Sequence, residues 1–190
     1  MSKKWTNRNL AGALHFVTGN VQARKSIFTK DSAAIAFYEE LQELKTKREA
    51  KIIAHVVMPD HIHLVVNPRD GDIRSWTGAL KSLSAKRIIP LFPSAYFSRV
   101  DENKVWQESF KSLALWSGWM MWQKINYIHN TPVNAGLVRT AKDYRWTSFR
   151  NSYGLDDDPL LAVDPEWHFE GDLEKVRKSL NKWGTAIAED

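Results

Sequence analysis

A chain of 190 residues with 43% apolar and 26% charged side chains has the composition of a folded globular protein, long enough for one domain with a sizeable core. It contains no cysteine, which excludes disulfides, zinc ribbons and thiol nucleophiles together. No apolar run approaches a membrane span, and the opening Met1-Ser2-Lys3-Lys4-Trp5 has no signal-peptide core, so a cytoplasmic location is expected.

The net charge of +5 is unevenly spread. Residues 1–150 hold 23 Lys+Arg against 12 Asp+Glu, and residues 151–190 hold 4 against 10. The body therefore reads as a polyanion binder and the tail does not. Nine tryptophans among many basic residues favour nucleic acid, because bases stack on aromatic rings, although most of those tryptophans are expected in the core.

Residues 1–10 read as a polar, basic arm. Leu14, Phe16 and Val17 mark a first strand within 12–21, with Gly19-Asn20 near its end. A basic connection carrying Arg24 and Lys25 follows. Asp31 is the expected N-cap of a helix over 32–48, whose apolar stripe is Ala34, Tyr38, Leu41 and Leu44. Two β-branched runs, 51–57 and 61–66, flank the turn Met58-Pro59-Asp60 and read as paired strands. A second helix is expected over 72–89, with Lys81, Lys86 and Arg87 along it. These cations suit either phosphate contacts or an ordinary solvated face. Pro90-Leu91-Phe92-Pro93 breaks that helix, and 105–110 reads as a short fourth strand. An aromatic-rich helix is expected over 112–130, stopped at Thr131-Pro132 because the residue before proline avoids the helical region. That places Tyr127 in its last turn.

Residues 154–190 shift to an acidic tail with a terminal helix over 172–185, expected to compete with polyanions for the basic body. The element order implies an α+β fold: a two-layer, ferredoxin-like sandwich with an antiparallel sheet and helices on one face. The other face is then left for the Tyr127 helix.

His61 and His63 are two residues apart on one strand. They point the same way, about 7 Å apart by the strand rise, while Ile62, Leu64 and Val66 point into the core. Such a pair can share one metal ion, or can be plain polar residues on a solvated face. Imidazole serves Mg²⁺ or Mn²⁺ when phosphate and water complete the shell. A tyrosine hydroxyl can attack a phosphodiester if the phosphate is held and its charge is neutralised. Tyr127 is a candidate for that role, or else an amphipathic core residue. His55 and His129 read as structural histidines.

His61-Ile62-His63-Leu64, Trp106-Gln107, the run Tyr127-Ile128-His129-Asn130-Thr131-Pro132-Val133-Asn134-Ala135-Gly136 and Tyr144-Arg145-Trp146-Thr147-Ser148 together resemble the HUH single-tyrosine transposases. The REP-associated tyrosine transposases are the nearest branch, over residues 12–153. The resemblance implies a nucleophile at Tyr127 and metal ligands at His61 and His63. It implies Mg²⁺- or Mn²⁺-dependent cleavage and rejoining of single-stranded DNA through a 5′-phosphotyrosine, on hairpin-forming repeats. It also implies nucleoid association and a homodimer in some relatives. The chain departs from the family where a third ligand, Asn or Gln, usually stands four residues after the tyrosine. Here that residue is Thr131, with Gln123 and Asn130 as substitutes. Two other readings follow from this: a hairpin-binding protein that does not cut, and a hydrolase in which water attacks.

Overall fold

The computed structural model describes residue 9 and residues 13–93, 96–97, 104–115 and 117–164. The rest of the expected N-terminal arm, Trp116 and the expected helix over 172–185 lie outside the described residues.

The elements run β1 (Leu14–Asn20), α1 (Asp31–Lys47), β2 (Lys51–Met58), β3 (His61–Asn67), α2 (Ile73–Ile88), β4 (Lys111–Leu115), α3 (Gly118–Asn134) and α4 (Phe149–Ser152). The sheet order is β2-β3-β1-β4, antiparallel throughout. This is the ferredoxin-like arrangement that the order of elements implies. Alternation along the strands divides the apolar side chains between two faces. Val17, Ile62, Leu64 and Val66 meet Phe37, Leu41, Trp76 and Leu80 of α1 and α2 on one face. Leu14, Val56, Val65 and Leu115 meet Met121, Ile125 and Ile128 of α3 on the other.

Four local expectations are corrected. The helix expected from residue 112 begins only at Gly118, where the Ser117 hydroxyl accepts from Met120 N at 3.2 Å. The residues before it, Lys111–Leu115, are strand β4, paired with β1. The strand expected over 105–110 reduces to one bridge, Trp106 opposite Val21. Pro132 does not stop α3 but sits inside it, and the helix runs on to Asn134. A helix-interior proline costs roughly 3 kcal/mol. Burial of Pro132 and a strong terminus offset part of that. Gly136 adopts φ +70°, which L side chains avoid. Its N–H bonds Val133 O at 2.9 Å and the next N–H, of Leu137, bonds Pro132 O at 3.0 Å. This is a Schellman motif, and it ends the helix. Tyr127 therefore lies well inside α3. At α1 the cap is Lys30, and Asp31 is the first helical residue, where its charge suits the helix dipole.

The segment 144–148 laces onto the outer edge of β2. Val57 N bonds Trp146 O and Ser148 N bonds His55 O, while the Tyr144 hydroxyl donates to Val57 O at 2.8 Å. Residues 154–164, just past the expected boundary at 153/154, pack onto the body. Asp164 pairs with Lys45 at 3.0 Å and accepts from Ile52 N, and Leu161 is buried in the core.

His55 and His129 are committed to this packing. His55 Nδ1 lies 3.0 Å from the Tyr38 hydroxyl, and His129 Nε2 lies 3.0 Å from Ser148 Oγ. Burial lowers their pKa values from 6.5 to about 3 and about 4. Below pH 6.5 the unfolded chain protonates these rings while the folded chain does not. Stability is thus complete above that pH and falls as pH drops toward 4. We expect a loss of about 2 kcal/mol per ring between pH 7 and pH 5. Thermal melts at the two pH values check this, and equal midpoints would contradict it.

Candidate active site

The face of the sheet beneath α3 carries a row of polar and aromatic side chains where the β1–β3 register brings them together. Thr18 stands opposite His63, and Asn20 opposite His61. The two imidazoles face the same way, with ring centres 4.8 Å apart. Their Nδ1 atoms are engaged. His61 Nδ1 lies 2.6 Å from Asp60 Oδ1, and His63 Nδ1 lies 2.9 Å from Thr18 Oγ1. A carboxylate only accepts, so Nδ1 of His61 carries the proton and Nε2 keeps the lone pair when the ring is neutral. Asp60 is itself paired with Arg24 at 2.8 Å, and Arg24 also donates to Asn20 Oδ1.

His63 Nε2 is buried and has no hydrogen-bond partner. Burial, then the neighbouring charge of His61, lowers the His63 pKa to about 3, so the ring stays neutral at ordinary pH. A buried, neutral, unpartnered imidazole nitrogen is a competent metal donor, and anchoring the opposite nitrogen is how ligating histidines are oriented. The pair His61 and His63 thus fits a divalent ion with substrate oxygens and water as its other ligands. No third protein ligand is evident. Among the described residues no group of three His, Cys, Asp or Glu converges as a metal site. The Thr131 hydroxyl donates to the carbonyl of Tyr127 at 2.6 Å, and the Asn130 amide donates to the carbonyl of Asn126 at 2.9 Å. Gln123 is exposed on α3.

α3 brings Tyr127 to the same place. Its ring centre is 5.2 Å from that of His63 and 5.8 Å from that of Phe16, which stacks on His63 at 5.3 Å. Yet Tyr127 is 46% exposed, so an incoming strand can reach it. Lys124, one turn earlier, holds its ammonium over the Phe16 and Tyr127 rings. Lys111 on β4 stands opposite Thr18 and so shares this face. Tyr127 is the exposed member of the cluster, and a cavity of about 520 Å³ is lined by other residues, among them Tyr38, His55 and Arg150.

The remaining cations that the sequence offered are dispersed. Arg24 borders the histidines through Asp60. Lys25 donates to Tyr96 O at 2.8 Å. Lys81, Lys86 and Arg87 lie on α2, across the sheet from the histidines. Lys81 donates to Glu108 O, and Arg87 is bound by Glu39, Glu40 and Glu43 of α1. Arg87 thus joins two helices, its charge answered within the fold. Lys86 is exposed. Sequence reasoning missed Thr18, Asp60, Phe16, Lys111 and Lys124. Lys124, three residues from Tyr127 in a helix, and Asp60, next to His61 in sequence, carried a local signal.

The ferredoxin-like sheet thus presents a histidine pair to a tyrosine on the covering helix. Residues 11–131 match the family described as Transposase IS200 like, and the chain belongs to that family. Its fold resembles that of a solved REP-associated tyrosine transposase bound to a REP hairpin, with a TM-score of 0.63 and 22% identity over 90% of this chain and 98% of the other. A putative transposase from Deinococcus radiodurans is also similar, with a TM-score of 0.48 and 23% identity over 67% of this chain and 97% of the other. No curated protein sequence matches the chain. Among the described residues, no helix is long and apolar enough to cross a membrane.

Proposed function

We propose that this protein cuts and rejoins single-stranded DNA through a covalent 5′-phosphotyrosine on Tyr127, with Mg²⁺ or Mn²⁺ held by His61 and His63. The observation that carries this reading is the exposed Tyr127 ring, 5.2 Å from a histidine whose Nε2 is buried and unpartnered. Membership of the IS200-like transposase family supports it independently. The likeness to a transposase bound to a REP hairpin makes hairpin-forming repeat DNA the substrate to try first.

In the forward step the Tyr127 phenol oxygen attacks phosphorus. The P–O(Tyr) bond forms as the P–O3′ bond breaks. The phenol proton leaves to solvent, and the departing 3′ oxygen takes one up to become a free 3′-hydroxyl. Attack by a 3′-hydroxyl on the phosphotyrosine reverses the step, so rejoining needs no nucleotide cofactor. The ion, when bound, supplies Lewis-acid polarisation of the phosphoryl oxygens. Asp60 and Thr18 fix the two imidazoles so that both present Nε2. Phe16 packs against both His63 and Tyr127, completing a three-ring cluster that supports their contact. The ring contact is made within one chain, which supports action of Tyr127 in cis, whether or not the protein forms a homodimer.

A second reading, hairpin binding without cleavage, is favoured by the Thr131 hydroxyl, which is turned back onto its own helix. Incubation with an end-labelled single-stranded hairpin oligonucleotide and Mn²⁺ separates the two. An SDS-resistant protein–DNA adduct supports the proposed chemistry. Binding with no cut supports the second reading, and cutting with no adduct points to attack by water. Thr131→Asn adds an amide oxygen with longer reach on the Tyr127 face of α3. We expect it to raise Mn²⁺-dependent cleavage about tenfold, the lower end of what shell residues contribute at metal sites. An unchanged rate across an Mn²⁺ titration would mean that the threonine is not what limits the site.

A further inference from the structure

Lys124 precedes Tyr127 by three residues, so both side chains leave α3 on one face. Its Nζ lies 5.0 Å from the centre of the Phe16 ring and 5.7 Å from that of the Tyr127 ring. Phe16 in turn stacks on His63. The ammonium is thus held by aromatic faces inside the cluster. It is half-buried, and among the described residues no carboxylate pairs with it. Of the other cations near the core, Arg87 has Glu40 and Lys45 has Asp164, while the half-buried Lys81 donates to Glu108 O.

Withdrawing an ammonium from water without a counter-ion is unfavourable, and ring faces offset only part of that. Consistent with this, burial lowers the Lys124 pKa. The arrangement becomes favourable when an anion arrives. The anion that an IS200-like transposase brings to a tyrosine is a phosphodiester.

We propose that Lys124 grips the non-bridging oxygens of the phosphodiester presented to Tyr127, a contact separate from any made by His61 and His63. The assignment rests on the reading of Tyr127 as nucleophile. It adds a cation carried by the nucleophile's own helix, in a site where the Thr131 hydroxyl faces the backbone. Charge that develops on the phosphoryl group during attack is then countered from the tyrosine side as well as the histidine side. Lysine serves here as a point charge, so position matters more than a bidentate fork.

The test uses the full chain and a labelled single-stranded hairpin oligonucleotide. Binding is measured in Tyr127→Phe, with EDTA in place of metal, across a salt series, with and without Lys124→Met. Loss of one phosphate contact should flatten the slope of log affinity against log salt by ~0.7. With Tyr127 intact and Mn²⁺ present, Lys124→Met should slow adduct formation about 100-fold, the usual cost of one charge-stabilising group. Lys124→Arg should recover both the slope and most of the rate, which a merely structural lysine would not require. Lys124→Gln serves as a second neutral variant if the methionine variant melts early.

An unaltered salt slope in both neutral variants overturns the proposal, as does an equal loss in the Arg and Met variants. If the parent protein forms no adduct at all, the nucleophile reading fails. The salt slope still decides whether Lys124 holds a phosphate.

Discussion

Tyr127→Phe is expected to abolish the SDS-resistant adduct and lower strand cleavage by on the order of 10⁴-fold, because no neighbouring hydroxyl replaces an amputated nucleophile. The substitution removes one oxygen and leaves the ring. Its contacts with Phe16 and His63 are ring contacts, so the packing survives. With 46% of Tyr127 exposed, the fold does not depend on its hydroxyl. Affinity for the hairpin oligonucleotide should stay within about twofold, since phosphate charge, not the phenol, dominates binding. Gel analysis for the adduct and fluorescence anisotropy for binding read the two quantities separately. Loss of both together would indicate a structural tyrosine.

The second large effect is expected at the histidines. His63→Ala should reduce Mn²⁺-dependent cleavage by about 10²–10³-fold, the range for losing one source of charge stabilisation at the reacting phosphate. It should also weaken Mn²⁺ binding measured by calorimetry. His63 is nearly fully buried and packs against both Phe16 and Tyr127, so its removal also opens space beneath the tyrosine. A fall in melting temperature should accompany it. His61, partly exposed and tied to Asp60, provides the cleaner control. His61→Ala should lose comparable activity with a smaller change in melting temperature. If both variants bind Mn²⁺ as the parent does, the ion sits elsewhere.

The histidine strand was legible because two short β-branched runs around Met58-Pro59-Asp60 admit few other folds. Strict alternation then places His61 and His63 on the face opposite Ile62, Leu64 and Val66, which are all fully buried. The passage from β4 into α3 was not legible. Lys111–Leu115 is a five-residue edge strand rich in lysine, leucine and alanine, which favour helices when read locally. Pairing with β1 overrides that preference. Pro132 misled for a related reason. Its effect on the preceding residue is a bias, and tertiary packing with a Schellman stop at Gly136 carries the helix past it. Asp60 adjoins His61 in sequence, but the partner of His63 was invisible because it depends on register. Thr18 meets His63 only through the pairing of β1 with β3, 45 residues apart in sequence.

The central claim is that Tyr127 becomes covalently joined to DNA. The most direct measurement is peptide mass spectrometry after reaction with a single-stranded hairpin oligonucleotide and Mn²⁺, followed by nuclease digestion. The account predicts that the residual nucleotide mass lies on Tyr127 through a phosphodiester at its hydroxyl. Label on any other residue, or cleaved DNA with an unmodified Tyr127 peptide throughout turnover, would contradict it.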